Sequence, residues 1–400
     1  MKIEKQKIDQ IRQKFASMQS KEELLALLNE VKRILYDKKY KAIELKSLTY
    51  YANPAICKKR YTTFTIKKKS GGKRIINAPV DGLKSILRPL NCILQCVYTP
   101  HIAANGFVLN KSIVDNAKAH VGNHYVYNID LKDFFHSFDR NRVKMGFMYE
   151  PFSLTGNREP LAFLLASLCT HPFEVNGEIK NVLPQGSPTS PTITNIICKK
   201  MDRRLTGLAN RFGAKYTRYA DDITFSSPRN IFNDKNFINE LERIIAKDNL
   251  LKRKDQEIKI GPQLKINPDK TRLEKSDYRQ EVTGLIVNEK VNVRKRYVKQ
   301  IRMWLYYWEK YGYEKAQSIF TKDYIIDKGH VKKGKPKLMN VLDGKLEFLR
   351  MVKGDNDSTY LTLKKKYDKL SGPVSPLNTV LDIWENGDIE KAMEVFNQLK

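Results

Sequence analysis

The chain's clearest chemical signal is a pair of adjacent acids. In Tyr219-Ala220-Asp221-Asp222 two carboxylates stand side by side, flanked by Arg218 and by Ile223-Thr224-Phe225. On a tight turn between apolar strands such a pair repels itself, and divalent cations shared between the oxygens make it favourable. Turns favour Asp in any case, so the pair alone decides little. A third acid, Asp130, closes the stretch that begins at His124. Two strands laid side by side would converge Asp130, Asp221 and Asp222 on a two-metal site, with ions about 3.5–4 Å apart. There one ion would acidify an attacking hydroxyl and the other would stabilise a leaving pyrophosphate. Mg²⁺ suits the pattern because it takes oxygen ligands and keeps waters.

Between these acids runs Leu183-Pro184-Gln185-Gly186-Ser187-Pro188-Thr189-Ser190-Pro191. Gly186 permits close backbone approach, the prolines stiffen the loop, and Gln185 can present a fixed amide to a nucleotide. Upstream, Tyr61 to Lys67 and Arg74-Ile75-Ile76 read as a hairpin turning at Gly71-Gly72 and breaking at Pro79. Its cations Lys67, Lys68, Lys69, Lys73 and Arg74 fit a cover for a triphosphate and equally a plain exposed basic hairpin.

These residues need a scaffold. His124 to Asp130 reads as a strand, and Lys215 to Ser226 as two short strands around Ala220-Asp221-Asp222. Phe173 to Ile179, with Asn176-Gly177 at its centre, reads as a second hairpin. A helix begins after Pro191, with Ile193, Ile196, Met201, Leu205 and Leu208 at helical spacing. The first helix of the chain is expected after Ser20-Lys21-Glu22-Glu23, a capping box ahead of Leu24, Leu27, Leu28 and Val31. Strands are expected at Val282–Val287 and Val291–Val293. Beyond a boundary near 290–295 the pattern turns helical, with Tyr297, Ile301, Trp304, Leu305 and Trp308 as a core stripe. A short helix, Ile389 to Leu399, is expected in the tail, and no internal repeat is visible.

At 400 residues, 41% hydrophobic, the chain can bury a core and is not of disordered composition. It has no apolar run of about 20 residues and no signal-like run at Met1 to Gln6, which predicts a cytoplasmic protein. Cys57, Cys92, Cys96, Cys169 and Cys198 form no disulfide-like framework. Cys92 and Cys96 read as core residues, because no second Cys or His pair stands at zinc spacing. Net charge is +29, from 73 Lys and Arg against 44 Asp and Glu, with basic runs at 67–69, 252–254, 294–296, 332–333 and 364–366. Such an imbalance favours capture of a polyanion, so nucleic acid is the expected partner and a membrane is not.

The Asp130, Gln185 and Tyr219-Ala220-Asp221-Asp222 elements, in this order, resemble motifs A, B and C of reverse transcriptases. The resemblance covers residues 60–295 and implies an α+β right-hand polymerase fold. It divides the chain into an N-terminal helical segment (1–50), fingers and palm (51–294), a helical RNA-binding thumb (295–373) and a tail (374–400). By the same resemblance Asp130, Asp221 and Asp222 are the catalytic ligands of two Mg²⁺ ions. Phe135 resembles the steric gate against a ribose 2′-hydroxyl, with a core aromatic as the plain alternative. Lys73 and Arg74 resemble fingers residues that grip the triphosphate. Leu264 to Thr271 resembles motif D, which makes Lys270 a candidate proton donor to pyrophosphate, beside the plain reading of a solvated lysine. Gly284 resembles the turn near the primer grip, and Arg294, Lys295 and Arg296 are candidate RNA contacts. Asn116-Ala117-Lys118-Ala119-His120 and Val282-Thr283-Gly284 resemble elements of retron reverse transcriptases. His120 itself reads as a hydrogen-bonded structural histidine.

The expected function is an RNA-directed DNA polymerase that copies a cognate structured non-coding RNA from deoxynucleoside triphosphates. Retron resemblance adds priming from an RNA 2′-hydroxyl and a role in antiphage defence, with an effector protein and the oligomeric state left open. The rivals are a non-retron defence reverse transcriptase with repetitive or protein-primed products, and an RNA-binding protein that kept the fold without the chemistry.

Overall fold

The computed structural model describes residues 4–36, 40–67, 71–175, 177–253, 256–259, 261–328 and 336–372, with a few positions of the tail. Lys68, Lys69, Asn176, Lys254, Lys332 and Lys333 lie outside the described residues, as does most of the expected tail helix. The chain divides into two compact units, Met1–Thr283 with Val287–Lys290 and Gly284–Ile286 with Val291–Lys400.

The first unit opens with α1 (Lys5–Ser17), α2 (Lys21–Tyr36) and α3 (Leu45–Ala52). The hairpin β1 (Tyr61–Lys67) and β2 (Lys73–Pro79) follows, then α4 (Asp81–Val97), α5 (Ile113–Lys118) and β3 (Tyr125–Lys132). Next come α6 (Arg140–Met148), α7 (Glu159–Cys169), the hairpin β4 (His171–Val175) and β5 (Glu178–Val182), and α8 (Ser190–Arg211). The unit closes with β6 (Lys215–Tyr219), β7 (Asp222–Ser227), α9 (Lys235–Ala246), β8 (Leu250–Arg253), β9 (Gln256–Lys259), β10 (Lys265–Lys275) and β11 (Glu281–Val282).

The expected first helix is the second. Half of the expected capping box forms: the Glu23 N–H donates to Ser20 Oγ at 3.2 Å, but the Glu23 carboxylate accepts from the Gln19 N–H at 2.6 Å, one residue before the N-cap. The helix missed, α1, carries few apolar residues, but Ile11 and Phe15 are buried, and Phe15 meets Phe152 edge-on at 5.7 Å. A polar helix with a narrow buried stripe gives little periodic signal. Pro89 lies inside α4, whose Leu83, Ile86, Leu87, Leu90, Ile93 and Leu94 are fully buried. All five cysteines are buried and unpaired, Cys92 and Cys96 within the core.

At the centre is an antiparallel sheet in the order β10-β3-β7-β6. Its register pairs Ile129 with Ile223 and Asp130 with Asp222. Apolar residues of both strands, such as Ile129 and Phe225, are buried against the helices, which fixes the register, since a slip by one residue would turn every side chain over.

The second unit holds β12 (Leu285–Ile286), α10 (Lys295–Tyr311), α11 (Tyr313–Lys328), α12 (Leu338–Lys353) and α13 (Ser358–Ser371). Trp304 and Trp308 are core, packing edge-on against Phe320 and Tyr367, whereas Tyr306 is exposed. One strand through Val282–Val287 was expected. Instead the chain breaks at Thr283 and Gly284, both with positive φ (49° and 83°), leaving Glu281–Val282 and Leu285–Ile286 as short strands. Apolar alternation continues across a two-residue turn and hides it. Among the described residues no helix is long and apolar enough to cross a membrane.

Candidate active site

Strand pairing brings the three acids together. Asp130 ends the paired part of β3 opposite Asp222, the first residue of β7, and the Leu131 N–H donates to the Asp221 carbonyl at 3.1 Å. Tyr219 pairs with Asp222, so Ala220 and Asp221 form a two-residue turn with Ala220 at a φ of 58°. A left-handed alanine costs roughly 1–2 kcal/mol, so something must hold it. Arg218 does so from beneath: its Nη1 donates to the Ala220 carbonyl at 3.1 Å. The same guanidinium makes two 2.7 Å bonds to Asp202, and a third at 3.0 Å to Asn195 Oδ1. Arg218 and Asp202 are both fully buried. Burial opposes the Arg218 charge, but the adjoining Asp202 carboxylate outweighs it and keeps the guanidinium protonated. Gly106 closes the support, because a Cβ there would lie 2.5 Å from the Ala220 nitrogen.

The support of the turn was not legible in the sequence beyond the position of Arg218 next to the acids. Asn195 and Asp202, seven residues apart on α8, interrupt an otherwise apolar helix face, and that was the available signal. His120 is structural as expected: fully buried, it contacts Ser226 Oγ at 2.8 Å and Thr217 Oγ1 at 2.7 Å, bracing β6 and β7. Burial pushes its pKa down to about 3, so the ring is neutral.

Electrostatics in the acid cluster run against ionisation. Burial raises the pKa of Asp221, with the charge of Asp130 adding to it. Asp222 is pushed up to about 6 by burial and then by the charges of Asp221 and Asp130. Solvent reaches Asp222 on one side, so the surrounding protein and neighbouring acids, rather than full enclosure, make its charge unfavourable. Lys270, Arg74 and, at Asp222, Arg272 work the other way. Lys270 Nζ donates to both carboxylate oxygens of Asp130 at 2.7 Å, and the charge of Arg74 is felt at Asp221. A bulge delivers Lys270: between the Asn267–Asp130 and Arg272–Asn128 pairs, residues 268–271 stand opposite Ile129 alone.

The remaining expected residues fall into three groups. Gln185 is half-buried, and its carbonyl accepts from the Asn77 N–H of β2 at 2.8 Å. Gly186, at a φ of 125°, would place a Cβ 2.7 Å from the Asn77 carbonyl, so only glycine permits this docking. The Gln185 loop is thereby tied to the strand bearing Lys73 and Arg74, both exposed. Phe135 is half-buried at the edge of the core, edge-on to Phe134 at 5.6 Å, a position compatible with either reading of it. Gly284, Arg294, Lys295 and Arg296 belong to the second unit, with Lys295 and Arg296 exposed on the first turn of α10.

The donor set fits hard divalent cations, since carboxylate oxygens crowded against one another are stabilised by a shared ion. Among the described residues no three acids, histidines or cysteines close into a ready-made metal cage.

A carboxylate cluster at the ends of the two central strands of the sheet, beside cations suited to phosphates, defines a candidate nucleotidyl-transfer site. Residues 66–287 match the family model described as reverse transcriptase (RNA-dependent DNA polymerase). The chain is 38% identical over 241 residues to the Retron Mx162 reverse transcriptase of Myxococcus xanthus, covering 57% of this chain and 47% of that one. It is 35% identical over 259 residues to the Retron Mx65 reverse transcriptase of the same organism, covering 62% and 56%. To the Retron Ec86 reverse transcriptase of Escherichia coli it is 33% identical over 249 residues, covering 61% and 68%. The chain thus spans about half the length of the two Myxococcus relatives. Among solved structures, a telomerase from Candida albicans aligns at a TM-score of 0.39 and 11% identity, over 84% of this chain and 65% of that one, too loose a likeness to carry an argument. The chain belongs to the reverse transcriptase family, its similarity running to the retron members. The α+β right-hand polymerase fold expected from the sequence goes with that membership.

Proposed function

We propose that this chain is an RNA-directed DNA polymerase, with Asp130, Asp221 and Asp222 at its catalytic centre. The observation that carries the reading is the register of Asp130 against Asp222, beside Asp221 and within the field of Arg74. In this reading residues 51–294 are fingers and palm, 295–373 a thumb, 1–50 an N-terminal helical segment and 374–400 a tail. Two divalent ions, Mg²⁺ on this reading, would be held by the three carboxylates and would supply hydroxyl activation and charge neutralisation at the pyrophosphate. Lys73 and Arg74 bind the triphosphate, and Gln185 orients the nucleotide. Phe135 closes the space that a ribose 2′-hydroxyl would need. Lys270, released from Asp130, is the proton donor to the leaving pyrophosphate.

The likeness to retron enzymes supports a finer reading: a cognate structured non-coding RNA as template, priming from an RNA 2′-hydroxyl, and a defence role in the cytoplasm, with an effector protein as a further partner. RNA selection is assigned to the exposed basic start of α10, Arg294, Lys295 and Arg296, and Gly284 to the turn near the primer grip. Asp222→Asn removes a ligand charge at nearly constant volume, so synthesis should fall on the order of a thousandfold or more, while RNA binding persists. Near-normal synthesis by that variant would overturn the assignment. Sequencing the nucleic acid that co-purifies with the protein tests the finer reading: branched RNA–DNA supports it, and unbranched repetitive DNA favours a non-retron defence enzyme.

A further inference from the structure

The first unit carries a half-open cavity of about 590 Å³ that shares no residue with the carboxylate site. The starts of three helices line it: Lys21 of α2, Arg140 of α6, and Pro160 with Leu161 of α7. Helix starts bear the positive end of the backbone dipole and unpaired N–H groups. Ser20 caps α2 through the Glu23 N–H, and Asp139 caps α6 through the Arg142 N–H; α7 has no side-chain cap, but its Glu159 N–H donates to the Gly156 carbonyl and Pro160 carries none, so α7 contributes its dipole rather than its first two N–H groups.

Side chains add a separate pull on an anion. Ser167, 3% exposed, lines the cavity, and its Oγ is buried without a hydrogen-bond partner. The Arg140 Nε is likewise buried and unpartnered. Behind Ser167 lies Arg60, fully buried, whose Nη2 donates to the Ser167 and Leu168 carbonyls at 2.8 and 3.0 Å. Its Nε and Nη1 have no partner, and among the described residues no carboxylate pairs with it. A buried cation without a counter-ion is unfavourable, and an anion in the adjoining cavity would offset that cost. No Asp or Glu lines the cavity. The acids beside it are engaged: Glu159 by Lys144, Glu23 by the Gln19 N–H at 2.6 Å, and Glu22 loosely by Lys21 at 4.0 Å.

The remaining lining suits a flat ring. Phe163 is 46% exposed with the Arg140 guanidinium 4.9 Å from its centroid, and Pro54 and Leu161 add apolar wall. The Asn157 amide, Gln19 Oε1 and Asn53 Nδ2 offer groups of the kind that read a base edge, while Gln19 Nε2 donates to the Ser17 carbonyl and Asn53 Oδ1 accepts from the Ala55 N–H. The volume lies within the usual range of small-ligand sites, about 300–1,000 Å³. An acidic peptide would use the cations and leave the flat wall and the amides without a role.

We propose that this cavity is a binding site for a nucleoside monophosphate, separate from the polymerase centre. The ring lies against Phe163, and the phosphate faces Arg140, Ser167 and the start of α7. The assignment does not depend on the chain being a polymerase, and its test requires no synthesis.

The test is calorimetric titration of the full chain with AMP in EDTA, which removes divalent ions from the carboxylate site. Saturable binding is expected, with adenosine and inorganic phosphate each binding at least about tenfold more weakly, since each lacks half of the recognised chemistry. Phe163→Leu and Arg140→Ala should each weaken AMP binding by about tenfold or more, and Asp222→Asn should leave it unchanged. Thermal melting of each variant confirms folding, and Phe163→Trp, which keeps the ring, should retain binding. Absence of saturable AMP binding overturns the proposal. So does equal affinity for phosphate alone, or AMP binding that folded Phe163→Leu protein retains in full.

Discussion

Asp202→Asn probes the support beneath the acid turn rather than the acids themselves. The substitution keeps the shape and removes the only carboxylate that pairs with Arg218 among the described residues. Arg218 would keep only neutral acceptors, Asn195 Oδ1, the Ala220 carbonyl and the new amide oxygen, around a fully buried charge. Breaking a buried pair from one side costs about 3–5 kcal/mol. For a unit of this size about 2–4 °C is lost per kcal/mol, so melting should fall by on the order of 6–20 °C. The sequence offers an internal control, since residues 1–283 contain no tryptophan while Trp304 and Trp308 belong to the second unit. Far-UV circular dichroism should therefore show an early loss that tryptophan fluorescence does not share. Where the variant is still folded, kcat should drop on the order of 10–100-fold, because a turn that is no longer held at Ala220 misplaces Asp221 and Asp222. Replacing both partners by apolar residues, Asp202→Leu with Arg218→Met, should recover much of the stability but not the rate. A loss below about 1 kcal/mol together with an unchanged rate would refute the view that this pair holds the turn.

Further measurements address the other assignments. Because the folded pKa of Asp222, about 6, lies above the ordinary carboxylate value, the folded state holds that proton more tightly. The contribution of this group to stability therefore falls as pH rises from about 4 through 6, and the repulsion is fully expressed at neutral pH. Asp222→Asn should thus raise the melting temperature in EDTA at pH 7.5 and not at pH 4, while added Mg²⁺ should stabilise the parent protein only as pH rises through about 6. A melting temperature of the parent protein that ignores Mg²⁺ at every pH would count against the carboxylates as ligands. Phe135→Ala should raise incorporation of ribonucleotides relative to deoxyribonucleotides, and an unchanged ratio would return Phe135 to the core. Replacing Arg294, Lys295 and Arg296 by Ala should weaken binding of the co-purifying RNA and flatten its salt dependence. Synthesis on an artificial primer–template at saturation should survive better, and an equal fall in both would move RNA selection elsewhere.

What the sequence by itself determined was local or repeated. Apolar alternation marked β3, β6 and β7, a polar cap marked the start of α2, and the stripe from Ile301 to Trp308 marked a buried helix face. The order of Asp130, Gln185 and the Asp221-Asp222 pair was legible for the same reason, since each is a short string of chemically unusual residues. Tertiary structure decided what depends on partners distant in the chain. Asp202 becomes the anchor of the acid turn only when α8 packs beneath β6. Lys270 reaches Asp130 only through a bulge whose cause is the pairing of β10 with β3. Gly186 is obligatory because strand β2, more than a hundred residues earlier, passes within contact of it. Apolar alternation did not show the break at Thr283 and Gly284, because a two-residue turn leaves the period intact on either side; only the resemblance put a turn at Gly284. Side-chain period records which face is buried, whereas charge pairing and close backbone approach are set by which elements meet.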